Sequence, residues 1–235
     1  MNGFVHVMWD WNGTLLDDAW LCLEVINSLL REHGLPELSP LRYSWVFGFP
    51  LDEYCRKLGF ELDRAGYERL SDAFRTRYEK RRAECHLRSG AMDALERIAG
   101  LGIRQSVLSA YDQRLLLEVV ERRNLTRYFD GVIGVNNPYG MGKVERGRQR
   151  IAALGCDPSS VLLVGDTLHD RDVAAAMGAE HALVPSGHQH PQRLVAGGGR
   201  VLPGLRQVAD LAEHGCRDQL RQDAGSQTER GNGTG

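Results

Sequence analysis

The chain has 235 residues, 42% of them hydrophobic and 26% charged, and a net charge of -2, a balance that suits a globular protein with a sizeable core. That charge gives no electrostatic footing for nucleic acid or an anionic membrane, and no apolar stretch approaches the length of a membrane span. Cys22, Cys55, Cys85, Cys156 and Cys216 are scattered and form no C-x-x-C pair, which speaks against a disulfide framework or zinc knuckle; with no secretory signal, a cytoplasmic location is expected.

The run Phe4–Trp9 is apolar and Val-rich and reads as a buried strand ending at Asp10. A tight turn at Gly13-Thr14 follows. A helix is predicted over Ala19–His33, with Asp17 or Asp18 as its cap and an apolar stripe of Cys22, Val25, Ile26, Leu29 and Leu30. Ser39-Pro40 opens a short helix to about Phe47, Pro50 opens another that Gly59 closes, and Asp63 opens a long one to about Glu84. The long helix carries Arg75, Arg77, Lys80, Arg81 and Arg82, but Glu68, Asp72, Glu79 and Glu84 alternate with them, so a solvated face is expected. No strand is predicted between Asp18 and Leu87.

From Ser89 the pattern changes. Helices around Ala91–Ala99, Gln113–Arg123, Val144–Leu154 and Asp172–Met177 alternate with strands Arg104–Ser109, Val132–Val135, Val161–Val164 and His181–Val184. Alternating strands and helices mean a parallel sheet. The fold class is therefore α/β, a Rossmann-like parallel sheet core with an inserted all-helical cap. Residues 1–17 and 88–213 form the core, residues 18–87 the cap, and 214–235 a polar, Gly-rich tail whose composition predicts disorder.

Two strands end in acids: Asp10 closes the first, and Val161–Gly165 runs into Asp166, with Asp170 four residues on. Neighbouring strands would gather three carboxylates at one sheet edge, where open α/β sheets bind ligands. Like charges buried together need a cation, and oxygen ligands without clustered His or Cys suit magnesium. Val107–Ala110 puts the Ser109 hydroxyl at another strand end, and Lys143 opens a helix, a position that favours a nearby anion. A carboxylate, a metal, a lysine and a hydroxyl are the parts that phosphoryl transfer to an aspartate requires.

Asp10-Trp11-Asn12-Gly13-Thr14, Ser109, Lys143 and Gly165-Asp166-Thr167-Leu168-His169-Asp170, in that order, resemble the four motifs of the haloacid dehalogenase superfamily, on its phosphoglycolate-phosphatase-like branch with a helical cap. The resemblance covers about residues 4–212. It implies a magnesium-dependent phosphatase acting on a small phosphorylated metabolite through an aspartyl-phosphate. Asp10 would be the nucleophile. Asp10 and Asp166 would hold Mg2+ with their side chains and Asn12 with its backbone carbonyl, and Asp170 would hold a metal-bound water or Lys143. Thr14 and Ser109, with Ala110 beside it, would bind the phosphoryl oxygens, aided by Lys143.

Asn12 departs from the family pattern, which usually has an aspartate there to protonate the leaving group and activate water. An amide does neither, and such catalysis contributes about 10²–10⁴-fold in rate. Two other readings follow from that residue: a phosphotransferase or mutase, and a non-catalytic phospho-ligand-binding protein. No nucleic-acid or membrane partner is expected, and the chain would be a monomer or homodimer. His188-Gln189-His190 reads as a surface loop rather than a metal tract. Trp45, Phe47 and Phe49 suit either the substrate pocket or the core of the cap.

Overall fold

The computed structural model describes residues 3–136, 142–185 and 187–215. Residues 137–141, just ahead of Lys143, and 216–235, most of the expected tail, lie outside the described residues.

In chain order the elements are β1 (His6–Trp9), β2 (Leu16–Asp17), α1 (Ala19–Glu32), α2 (Pro40–Val46), α3 (Leu51–Lys57), α4 (Arg64–Arg81), β3 (His86–Leu87), α5 (Ala91–Gly100), β4 (Arg104–Asp112), α6 (Gln113–Arg122), β5 (Val132–Val135), α7 (Lys143–Leu154), β6 (Val161–Gly165), α8 (Leu168–Met177), β7 (Glu180–Leu183) and α9 (Pro191–Ala196), then a helix over residues 205–215. β1, β4, β5, β6 and β7 form one parallel sheet in the order β5-β4-β1-β6-β7.

The central strands β1 and β6 are buried on both faces, which is why they read as apolar runs. Val7, Trp9, Val107, Leu162 and Val164 pack with Leu95, Ile98 and Leu116. Met8, Leu108, Val161 and Leu163 face the other way, onto Ile151 of α7 and Val173 and Met177 of α8. The period of two along each strand thus sorts one run into two cores. Trp9 pairs in register with Val107 and Val164, and the Asp10 amide donates to the Val164 carbonyl at 2.8 Å. The carboxyl ends of β1 and β6 therefore lie level, with Asp10 and Asp166 just beyond them.

One buried polar group in this layer has a measurable consequence. His6, 1% exposed, shares a 2.8 Å hydrogen bond between Nε2 and Ser106 Oγ. Burial lowers its pKa from 6.5 to about 4, against a partial pull upward by Asp130. A depressed folded-state value means that this stability is complete above pH 6.5 and is lost as pH falls towards 4. Over that window the protein is expected to lose on the order of 3 kcal/mol more than His6→Gln, whose amide does not titrate. Urea unfolding across that pH range reads the difference in slope.

The helical insert leaves the sheet and returns to it through a ribbon not expected from the sequence. β2 and β3 pair antiparallel, Leu16 with Leu87 and Asp17 with His86, and the Arg88 amide donates to the Leu15 carbonyl. Two-residue strands are too short to show any periodicity. Within the insert the predicted starts hold: Ser39 Oγ accepts from the Arg42 amide and Asp63 from the Gly66 amide. The basic face of α4 is ion-paired, Arg75 to Asp72, Arg77 to Glu32, and Arg81 to Glu24 and Glu84. Arg82, just past α4, instead bridges Glu79 and Glu118 of α6. On the opposite side Arg193 of α9 donates to the Phe47 carbonyl at 2.7 Å, so the insert is fastened to the sheet layer at two places.

Candidate active site

Asp10, Asp166 and Asp170 bring carboxylate oxygens within 4.8 Å of one another. All three are nearly or fully buried, as is Lys143. Lys143 is the first residue of α7, and its Nζ donates to Asp10 Oδ1 at 2.7 Å and to Asp170 Oδ1 at 2.6 Å. α8 begins at Leu168, not near Asp172 as the sequence reading had it. Thr167 caps it, and Asp170 returns a bond to the Thr167 amide in a reciprocal box. Asp170 therefore sits in the first turn of a helix and is fixed by both its own backbone and Lys143.

The electrostatics follow from burial. Burial raises Asp10 to about 7, with Lys143 opposing and Asp170 and Asp166 adding to the rise. Burial also raises Asp166 to about 7, with Asp170 adding to it. For Asp170 burial pushes upward too, but Lys143, His169 and the hydrogen bonds from Lys143 and Thr167 together hold the carboxyl below the usual range. Lys143 itself is disfavoured by burial, and the two carboxylates more than compensate, so it stays charged. Three carboxylates face one ammonium, leaving two negative charges when all ionise. Asp166 is the one without a cationic contact among the described residues: its Oδ1 accepts from Thr14 Oγ1 at 3.3 Å and its Oδ2 from the His188 amide at 2.5 Å. That charge count and an all-oxygen donor set fit a divalent hard cation.

The remaining expected residues divide. Asn12, Ser109 and Ala110 line the same cavity as Asp10, Lys143, Asp166 and Asp170. Ser109 Oγ accepts from the Tyr111 amide at 3.2 Å, which leaves its own hydrogen available to a ligand. Thr14 is fully buried, and its hydroxyl donates to Asp166 Oδ1 at 3.3 Å. Asp18 occupies the cap position of α1, yet its side chain makes no capping bond. Its carboxylate accepts from the Gly13 amide at 2.8 Å, Asn12 Nδ2 at 2.6 Å and Tyr78 Oη at 2.7 Å. Asp18 thus fixes the turn after the β1 carboxylate and pins Tyr78 of α4 over it.

His188 and Gln189 correct the expectation of a surface loop: they are 4% and 3% exposed. His188 Nδ1 meets Tyr43 Oη at 2.8 Å, and Gln189 bridges the Leu168 amide and the Phe47 carbonyl. The tract follows β7, whose carboxyl end lies on the same sheet edge as those of β1 and β6, and that placement was the available signal. Burial holds both His188 and His169 below the usual imidazole range. Of the three cap aromatics, Phe47 and Phe49 line the cavity, while Trp45 is 43% exposed and stacks on His190.

Close approach explains two glycines. Gly13 has φ +73°, and a Cβ there would overlap Asp166 and His188. A Cβ on Gly165 would overlap the Asp170 carboxylate. Gly165→Ala is expected to push Asp170 off Lys143 and to lower turnover about a hundredfold, with the circular dichroism spectrum unchanged.

A family model described as haloacid dehalogenase-like hydrolase matches residues 7–184. Among curated relatives, an N-acetylmuramic acid 6-phosphate phosphatase of Pseudomonas aeruginosa is 24% identical, over 90% of this chain and 96% of its own. A phosphoglycolate phosphatase of Chromobacterium violaceum is also 24% identical, over 89% and 96%. A protein named tyrosine-protein kinase PtkA from Mycobacterium tuberculosis is 26% identical, over 77% and 62%. A solved haloacid dehalogenase-like hydrolase of Streptococcus pneumoniae superposes with a TM-score of 0.73 at 18% identity, over 87% and 96%. With the Asp10 strand, the Lys143 bridge and the Asp166–Asp170 turn all inside the matched span, the chain is an enzyme of the haloacid dehalogenase-like hydrolase family.

Proposed function

We propose that the protein is a phosphatase that cleaves a phosphomonoester by transferring the phosphoryl group to Asp10 and then to water. The observation that carries this reading is Asp10 itself, a carboxylate at the carboxyl end of the central strand, 2.7 Å from a buried ammonium that also holds Asp170. The Asp10 oxygen not held by Lys143 attacks phosphorus in line with the leaving oxygen. Lys143 balances charge on the transferring group. The Ser109 hydroxyl donates to a phosphoryl oxygen and orients it. Asp10 and Asp166, with the Asn12 backbone carbonyl, would hold Mg2+, which when bound supplies further charge neutralisation at the phosphoryl oxygens. The helical insert covers the edge and excludes water while the ester bond breaks.

The test is direct. The enzyme with Mg2+ is mixed with a radiolabelled phosphomonoester and quenched in acid. Label should remain on the protein, be released by hydroxylamine as an acyl phosphate is, and be absent from Asp10→Asn. Label that survives in that variant would remove Asp10 from the role.

Asn12 favours a second reading. Its amide takes no proton from water, and both its hydrogens are engaged, by Asp18 Oδ2 at 2.6 Å and Tyr78 Oη at 3.0 Å. A phosphoenzyme slow to meet water has time to pass its phosphoryl group to another hydroxyl. Phosphorylated product appearing when an alcohol acceptor is added, in place of inorganic phosphate, would establish transfer as the main reaction.

A further inference from the structure

We propose that the leaving group is an uncharged aromatic hydroxyl, so that the substrate is an aryl phosphate rather than a sugar phosphate or a phosphorylated carboxylic acid. The proposal rests on the reading of Asp10 as phosphoryl acceptor, and two independent features of the site carry it.

The first is the wall opposite Asp10. The site opens into a cavity of about 250 Å³. From the insert, Tyr43, Phe47, Phe49, Tyr67, Phe74 and Tyr78 line it. The Tyr43 hydroxyl is engaged by His188 and that of Tyr78 by Asp18, so these two rings offer the ligand apolar surface. Tyr54 also lines the cavity, and its buried hydroxyl has no partner among the described residues. Two cationic side chains reach the cavity among the described residues, Lys143 and Arg75. Lys143 lies between two carboxylates, and Arg75 is half-exposed and paired with Asp72 at 2.6 Å. A second anionic group on the substrate would be buried without a partner, and a sugar would bury several hydroxyls against ring faces, both of which are costly. An aromatic leaving group meets those rings in edge-to-face or offset contact.

The second is Asn12, which lines the same cavity as Asp10. With both amide hydrogens of Asn12 engaged, the atom it has left to offer is a carbonyl oxygen, which accepts and does not donate. Of the cavity histidines, His188 is engaged by Tyr43 and stacks on Phe47, and His169 stacks on Phe49 with ring centroids 4.2 Å apart. An ester whose oxygen must be protonated as it leaves is poorly served by Asn12. A phenol ionises with a pKa of about 10, whereas an aliphatic alcohol lies near water at roughly 16. In the step that suits this site the bond from Asp10 oxygen to phosphorus forms and the phosphorus–aryl oxygen bond breaks. The aryloxide departs with the electron pair and takes its proton from solvent. Water then attacks the phosphorus of the acyl phosphate, and Asp10 and inorganic phosphate are regenerated.

The full-length enzyme with Mg2+ is assayed on substituted phenyl phosphates, on para-carboxyphenyl phosphate, and on a hexose phosphate and phosphoglycolate, as wild type and as Asn12→Asp. For the wild type, kcat/KM should fall steeply as the leaving-group pKa rises, and phenyl phosphate should exceed the hexose phosphate by about a hundredfold or more. The carboxyl substituent should cost about tenfold or more, mainly in KM. Asn12→Asp should flatten the dependence on leaving-group pKa. Hexose phosphate or phosphoglycolate turned over as fast as phenyl phosphate would overturn the proposal and leave the phosphatase reading standing. Equal rates on the carboxylated and plain phenyl esters would remove the argument from the cavity wall and overturn it too. No turnover of any ester by either protein, with no label on Asp10, would overturn the phosphatase reading and this proposal with it.

Discussion

Asp10→Asn is expected to lower phosphate release by about 10⁴-fold or more, the scale on which removal of a nucleophile acts, and to leave the protein folded. The two effects have one cause. Asp10 is buried beside two other carboxylates, and its pKa of about 7 records how unfavourable its charge is there. A carboxyl raised in the folded state contributes stability that is full below its unfolded pKa and is lost as pH rises through the folded value. The wild type without divalent cations should therefore lose stability between about pH 4 and the value of about 7, and the asparagine variant should lose less. Thermal unfolding of both proteins across that range, beside the activity assay, separates a missing nucleophile from a collapsed site. A variant that is inactive and also less stable at neutral pH would point to collapse.

Divalent cations should have the second large effect. Chelation is expected to abolish turnover, and added Mg2+ to raise the thermal midpoint. At a hundredfold excess over its dissociation constant a ligand stabilises by about 2.7 kcal/mol, which for a chain of this size is roughly 5–10 °C. The sign of the pH dependence is fixed by the carboxylates. Asp10 and Asp166, both near 7 without metal, must release protons before they can coordinate. The shift should be larger at about pH 8 than at about pH 6, where more cation is needed to reach the same midpoint. Asp166→Asn should remove most of it, since Asp166 is the carboxylate that Lys143 does not touch. An Mg2+ shift of equal size in Asp166→Asn would place the ion elsewhere.

Much of this site was legible in the chain because its parts are strand ends. Asp10 and Asp166 each close an apolar run, and Lys143 opens a helix, so parallel topology alone gathers them. What escaped the sequence reading depends on contacts between distant elements. Asp18 looks like a helix cap from its position, and the backbone does place it there; only the fold shows its carboxylate holding Gly13, Asn12 and Tyr78. His188 looks like loop because its neighbours are polar, and it is buried where Tyr43 and Phe47 arrive from the insert. The start of α8 was carried by the Thr167–Asp170 spacing, a capping signature that an aspartate fills as well as a glutamate. Of the aromatic wall, Phe47 and Phe49 stand out in the chain beside Gly48 and Pro50; the other rings come from α2, α3 and α4 and share no local pattern.

The β2–β3 ribbon has a bearing on how such a protein changes over time. Because Leu16 pairs with Leu87 and Asp17 with His86, everything between them is, to the sheet, a single closed loop. The entropy of closing a loop grows only with the logarithm of its length, about 0.6 kcal/mol for each doubling. The ribbon therefore isolates the register of the catalytic strands from the size and content of what is spliced between them. Helices can be lengthened, traded or relined there while Asp10, Lys143 and Asp166 keep their places, and a new clientele can be recruited without rebuilding the chemistry.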